Sequence, residues 1–170
     1  MDLRAELESL HTASFGWALA CCGRRRREAE DVLQIAYLKV LDGRARFAGA
    51  ASFRTWLFGV IRRTAAESRR QQWLRTALLS RWQERGNFER TSADAQDATL
   101  DDERTRQLRG GLAQLAPRQQ QVLHLVFHQD MTIEEAARVL GISLGSARTH
   151  FERGKARLRA LVAKEACHAG

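Results

Sequence analysis

The sequence predicts an all-α chain built as two small basic domains on an acidic tether, and three observations carry that expectation. A single proline, Pro117, in 170 residues, together with few Val, Ile, Tyr and Thr, disfavours strands and favours helices. Apolar residues recur at helical spacing through both halves of the chain. Charge falls into blocks: residues 1–75 carry 14 basic and 8 acidic side chains, residues 76–105 carry 4 and 7, and residues 106–170 carry 10 and 5. The expected organisation is therefore a first domain over 1–75, a linker over 76–108 and a second domain over 109–165. The stretch from Asn87 to Asp102 has few large apolar residues and no sustained helical stripe, which reads as a flexible tether.

In the first domain an opening helix is expected through Leu3, Leu7, Leu10, Phe15 and Leu19 to about Cys22, where Gly23 can end it. A second starts near Glu28 and lines up Val32, Leu33, Ala36, Tyr37 and Val40 on one face before stopping at Asp42-Gly43. A loop rich in Gly and Ala follows, from Arg44 to Ala51, and Ser52 is a good N-cap for a long helix. Phe53, Trp56, Leu57, Val60 and Ile61 form the apolar stripe of that helix, so Trp56 is expected in the core. Arg54, Arg62, Arg63, Arg69 and Arg70 fall largely away from it.

In the second domain Pro117 sits just inside a helix start, with Val122, Leu123, Val126 and Phe127 as its stripe. Thr132 and Glu135 have capping-box spacing for a short helix through Leu140. Gly141-Ile142-Ser143 makes a tight turn, and Ser143 can cap a last helix to about Lys164. A short helix, a Gly-containing turn and a longer helix make a helix-turn-helix pattern. Ala136, Ile142 and Ala147 are small or apolar where its two helices must approach. Ser146, Arg148, Thr149 and Arg153 place polar groups where base edges are read in a major groove.

Composition narrows the function classes. No apolar run is long enough to cross a bilayer, and the N-terminus MDLRAELESL lacks the basic-then-apolar pattern of a secretory signal, so a cytoplasmic protein is expected. Three cysteines, Cys21, Cys22 and Cys167, cannot close a disulfide framework. Cys21, Cys22 and His11 could be imagined around zinc, but without a CxxC pair ordinary helix packing is the expectation, with no metal and no cofactor. No Ser/His/Asp or His/Glu cluster has persuasive spacing and no Gly-rich phosphate loop follows a strand, so an enzyme is not expected. Of 28 basic residues only Lys39, Lys155 and Lys164 are lysine, and arginine makes forked contacts to phosphates and base edges. With a net charge of +8, nucleic acid is the leading partner class.

The segments AEDVLQIAYLKVL and FAGAASFRTWLFGVIRR resemble the promoter-melting domain of extracytoplasmic-function (ECF) RNA polymerase sigma factors. LAPRQQQVLHLVFHQDMTIEEAARVLGISLGSARTHFERGKARLRALV resembles the upstream-element-binding domain of the same family, in the same order, and together the likeness covers about Ala18 to Val162. The resemblance implies sigma domain 2 over residues 1–75 and sigma domain 4 over 109–165. It implies that Asp31, Gln34, Leu38 and Lys39 meet core RNA polymerase, although simple packing accounts for Leu38 as well. The loop with Phe47 is implied to receive a flipped base of the −10 element, and Arg54, Phe58, Arg62 and Arg63 to hold the opened strands. Separated strands call for a cationic groove with aromatic platforms, which Phe58 among arginines offers. Ser143, Ser146, Arg148, Thr149, His150, Arg153 and Lys155 are implied to meet duplex DNA at the −35 element, with Arg153 and Lys155 mainly on phosphates.

The family also implies an anti-sigma factor as a partner, and a free monomer whose tether is open to protease near Asp94–Asp102. The chain departs from the usual family residues at Ile35, Arg63, His150, Phe151 and Gly154, and the glycine is expected to cost the helix about 1 kcal/mol against alanine. The competing expectation is a stand-alone helix-turn-helix regulator whose N-terminal helices dimerise. The aromatic and cationic helix over 53–63, with its preceding loop, argues against it, since dimerisation needs neither.

Overall fold

The computed structural model describes residues 2–83 and 114–166. The linker expected around Asn87–Asp102 and Cys167 lie outside them. The chain is all-α and divides into two compact units, each with its own core. Among the described residues there are seven helices and no strand.

In the N-terminal unit the expected single opening helix is two, α1 (Leu3–Ser9) and α2 (His11–Cys21). The Asp2 side chain caps α1 by accepting from Arg4 N at 3.0 Å. The backbone leaves helical geometry at Leu10, yet Ser14 N still donates to Leu10 O at 2.8 Å, so the break is a kink between nearly continuous turns. At the other end of α2, Gly23 takes the left-handed conformation (φ +61°) and Arg24 N returns to Leu19 O at 2.8 Å, a Schellman-type stop. Helix α3 (Arg26–Leu41) buries Ala29, Val32, Leu33, Ala36 and Val40. It ends at Gly43, again left-handed.

Helix α4 (Phe53–Gln83) begins where Thr55 N donates to Ser52 Oγ at 3.1 Å. It runs through residues 76–83, which the charge pattern assigned to the linker. Both α2 and α3 pack on it. With two neighbours, its buried arc is wider than one stripe, and this corrects two expectations. Phe58 is fully buried, stacked on Trp17 with 6.1 Å between ring centroids, while Trp56 lies half-exposed at the rim of the arc. Beyond the bundle Trp73, Leu74, Leu78 and Leu79 are exposed.

The C-terminal unit consists of α5 (Pro117–Phe127), α6 (Ile133–Leu140) and α7 (Leu144–Ala166). Pro117 opens α5 as expected, but its buried residues are Val122, Leu123 and Leu125, whereas Phe127 is exposed at its end. The capping box of α6 is complete: Glu135 N donates to Thr132 Oγ1 at 3.1 Å, and Thr132 N donates to Glu135 Oε2 at 2.9 Å. Gly141, at φ +61°, ends α6 while Ile142 N donates to Ala137 O, and Ser143 Oγ then accepts from Ser146 N to start α7. Ala136 and Ala147 are fully buried where the two helices meet.

Gly154 has a packing role that its helix propensity hides. A Cβ there would lie 3.0 Å from Leu123 Cδ1 and 3.3 Å from Gln119 Cβ, so the missing methyl lets α7 close on α5.

Candidate nucleic-acid interface

On α7 the side chains of Ser146, Arg148, Thr149 and Arg153 are exposed and His150 is half-buried. Positions 146, 149, 150 and 153 follow i, i+3, i+4 and i+7, so one face of the helix presents them together. Arg157, one turn beyond Arg153, is exposed on the same face. Sequence reading missed it, although its i+4 spacing was available as a signal.

Several hydroxyls are already engaged. Ser143 Oγ accepts the cap bond and donates to Ser146 Oγ at 2.9 Å, and Thr149 Oγ1 donates back to Gly145 O at 3.0 Å. Arg148 Nη2 lies 3.5 Å from Glu134 Oε1 on α6, both well exposed, so the guanidinium is loosely oriented and open to a base or phosphate. Lys155 is engaged within the protein. Its ammonium lies 4.5 Å from the centroid of the Phe151 ring and 2.9 Å from Glu152 Oε1, which holds it down on the protein. Phe151, in turn, is buried and packs on Phe127 at 5.6 Å.

In the N-terminal unit the loop before α4 is anchored by three rings. Phe47 meets Phe53 edge-on at 5.5 Å and Trp56 at 5.4 Å, and Phe53 and Trp56 are themselves 5.4 Å apart. Phe47 and Trp56 are half-buried, which leaves part of each ring at the surface. Arg54 lays its guanidinium 5.5 Å from the centroid of the buried Phe58 ring. Phe58 is therefore the floor beneath Arg54, and burial removes it as a stacking platform. Arg63 is exposed and Arg62 half-buried on the far side of α4 from α3.

The residues expected to meet polymerase separate into two groups. Asp31, Gln34 and Leu38 are exposed on α3, joined by Ile35 and Leu41, and Leu38 is 51% exposed rather than packed. Lys39 turns the other way, donating to Thr64 Oγ1 at 3.3 Å and pairing with Glu67 at 2.5 Å, so it ties α3 to α4. Between these helices lies a groove of about 310 Å³ lined by Asp31, Gln34, Ile35, Ser68, Gln72 and Arg75.

The imagined zinc ligands do not assemble. Cys21 and Cys22 are buried in helix packing, and burial, with Glu28 nearby, pushes the Cys22 thiol up to about 11. His11 instead faces Tyr37, whose hydroxyl lies 3.4 Å from His11 Nδ1. Among the described residues no group of three or more His, Cys, Asp or Glu could hold a metal ion.

Family comparison decides between a sigma factor and a stand-alone regulator. The Sigma-70 region 2 model matches residues 7–75, and the Sigma-70, region 4 model matches residues 111–160. The chain is 31% identical over 142 residues to the ECF RNA polymerase sigma factor SigX of Bacillus subtilis, covering 79% of this chain and 70% of that one. It belongs to the ECF sigma factors. It is 30% identical over 161 residues to the RNA polymerase sigma factor CarQ of Myxococcus xanthus, covering 95% and 90%. Its fold is similar to that of the sigma factor RpoE from Bartonella quintana, solved in complex with the anti-sigma factor NepR, with a TM-score of 0.69 at 19% identity over 95% of this chain and 97% of that one. As a sigma factor the chain directs RNA polymerase to promoters, with region 2 built on α1–α4 and the helix-turn-helix of region 4 on α6 and α7. Among the described residues no helix is long and apolar enough to cross a membrane.

Proposed function

We propose a division of labour within this sigma factor in which α3 docks on core RNA polymerase, the Phe47 loop and the arginines of α4 open the −10 element, and α7 reads the −35 element. The observation that carries the reading is on α3. Ile35, Leu38 and Leu41 stay in solvent beside Asp31 and Gln34, an apolar patch with a polar edge that a lone DNA-binding module has no use for. Lys39 sits behind this patch and braces it through Glu67.

In region 2 the half-exposed Phe47 and Trp56 rings form the wall against which an unpaired base stacks, and Arg54, Arg62 and Arg63 neutralise the strands beside it. In region 4 Ser146, Arg148, Thr149 and His150 meet base edges, while Arg153 and Arg157 meet phosphates. The protein works as a non-enzymatic subunit in the cytoplasm, and as a monomer when free. An anti-sigma factor is its regulatory partner, supported by the fold it shares with RpoE of the RpoE–NepR complex.

Reconstitution tests the whole reading. Purified chain added to core polymerase should start transcription from its promoter, and Leu38→Asp should abolish both co-purification with core and transcription while leaving the helical content intact. Transcription unaffected by Leu38→Asp would move the docking surface elsewhere.

A further inference from the structure

With Phe58 buried, the stretch of α4 beyond the Phe47–Trp56 wall needs a ring of its own if a strand is to follow its arginines, and the structure offers one. Arg63, Ala66, Arg70 and Trp73 follow i, i+3, i+7 and i+10, and all four are exposed. They form one continuous face, pointing away from α3, and Trp56 begins it seven residues before Arg63. Trp73 is 68% exposed, the most exposed of the large apolar side chains described. The charged members of the face, Arg63 and Arg70, are both cations. Helix α4 contains seven arginines and one acid, Glu67, and that acid is engaged by Lys39. An indole that open beside guanidinium groups is matched to a ligand that is both anionic and flat.

We infer that Trp73 is a stacking platform for an unpaired base of single-stranded DNA, extending the strand path along α4 about 15 Å beyond Arg63. The inference rests on the reading of Arg63 and its neighbours as strand-holding groups. Arg70 supplies the backbone contact one turn before the ring. Every base has a π-face, so the platform is indifferent to sequence and adds affinity for opened DNA without narrowing promoter choice.

The test is binding of the full chain to a short labelled oligothymidine and to a duplex of the same length, by fluorescence anisotropy over a salt series. Trp73→Ala should weaken single-strand binding roughly 5- to 150-fold, the loss expected when one base-stacking ring is removed. Its salt slope should be unchanged, because no phosphate contact is lost. Trp73→Phe should retain most of the affinity, and Leu78→Ala, which removes an exposed aliphatic group from another face, should retain all of it. Duplex affinity should be the same in all three. A silent Trp73→Ala, or one that weakens duplex and single strand alike, overturns the inference. Arg63→Gln combined with Arg70→Gln separates the two levels. If the arginine variant loses single-strand affinity and salt slope while Trp73→Ala is silent, the platform falls and the strand-holding reading stands. If neither matters, or the wild type binds no single strand, both fall.

Discussion

Trp17 donates its indole N–H to the backbone carbonyl of Phe58 at 3.0 Å while the two rings stack at an interplanar angle of 16°. Both side chains are fully buried, so this pair joins α2 to α4 at the centre of region 2. Phe58→Ala should therefore lower the stability of the N-terminal unit by about 3–5 kcal/mol, the range for emptying a large aromatic site in a core. Thermal unfolding followed by circular dichroism would show it. A promoter template opened in advance by mismatches should not restore transcription, because the lost element is the core and not the opened strand.

On the recognition helix, Arg148→Ala should cost roughly 1–3 kcal/mol of binding to the cognate upstream element and relax preference at one base position. Arg157→Ala should weaken binding to all sequences and reduce the salt slope by about one. Lys155→Ala should change that slope little, since Glu152 and the Phe151 ring already hold the ammonium. Electrophoretic mobility shifts across a salt series and a set of single-base variants would separate the three behaviours.

Gly154→Ala sets two effects against each other. Helix propensity gains about 1 kcal/mol, whereas overpacking a closed contact costs about 1–3 kcal/mol. Leu123, the neighbour at 3.0 Å, is itself buried and has little room to retreat, so a net loss is expected in the urea midpoint of the C-terminal unit. Leu123→Ala in the same chain should relieve the clash, and a double-mutant cycle would return a coupling of opposite sign to the two single losses.

The Cys22 thiol, raised to about 11 by burial, favours its neutral form more in the folded than in the unfolded chain. Its contribution to stability is therefore complete below the ordinary thiol value of 9.0 and is lost as pH rises towards 11. Denaturant midpoints measured across that window should fall, and Cys22→Ala should flatten the dependence. Alkylation of native protein at mildly alkaline pH should be slow at Cys22 and become fast on unfolding.

Caps were legible in the sequence because their chemistry is local. Thr132 with Glu135, Ser52, Ser143 and the left-handed Gly23, Gly43 and Gly141 each announce a helix boundary through a side chain or a missing Cβ within a few residues. The direction in which a residue on a helix flank faces was not legible. Periodicity placed Trp56 and Phe58 on α4 but could not say how many helices would pack there, and the answer, two, decides which ring is buried. The orientation of Lys39 was hidden for the same reason, because its partner Glu67 lies 28 residues away. The exposure of Ser146, Arg148, Thr149 and Arg153 on α7 was legible in the sequence, since a solvent-facing helix depends only on its own register. The continuation of α4 to Gln83 was hidden by a change of charge that carries no information about backbone conformation.

One unbroken helix spans from the ring-anchored loop at Phe53 to beyond Trp73, about 46 Å in all. Such a rod works as a ruler with angular graduations: each added or deleted residue turns everything downstream by about 100°. A single-residue insertion between Phe53 and Arg63 would swing the arginines round towards the core and carry their aliphatic neighbours into solvent, even though no side chain had changed. A change of length within this helix therefore keeps both of its faces only in steps that restore phase, near seven residues.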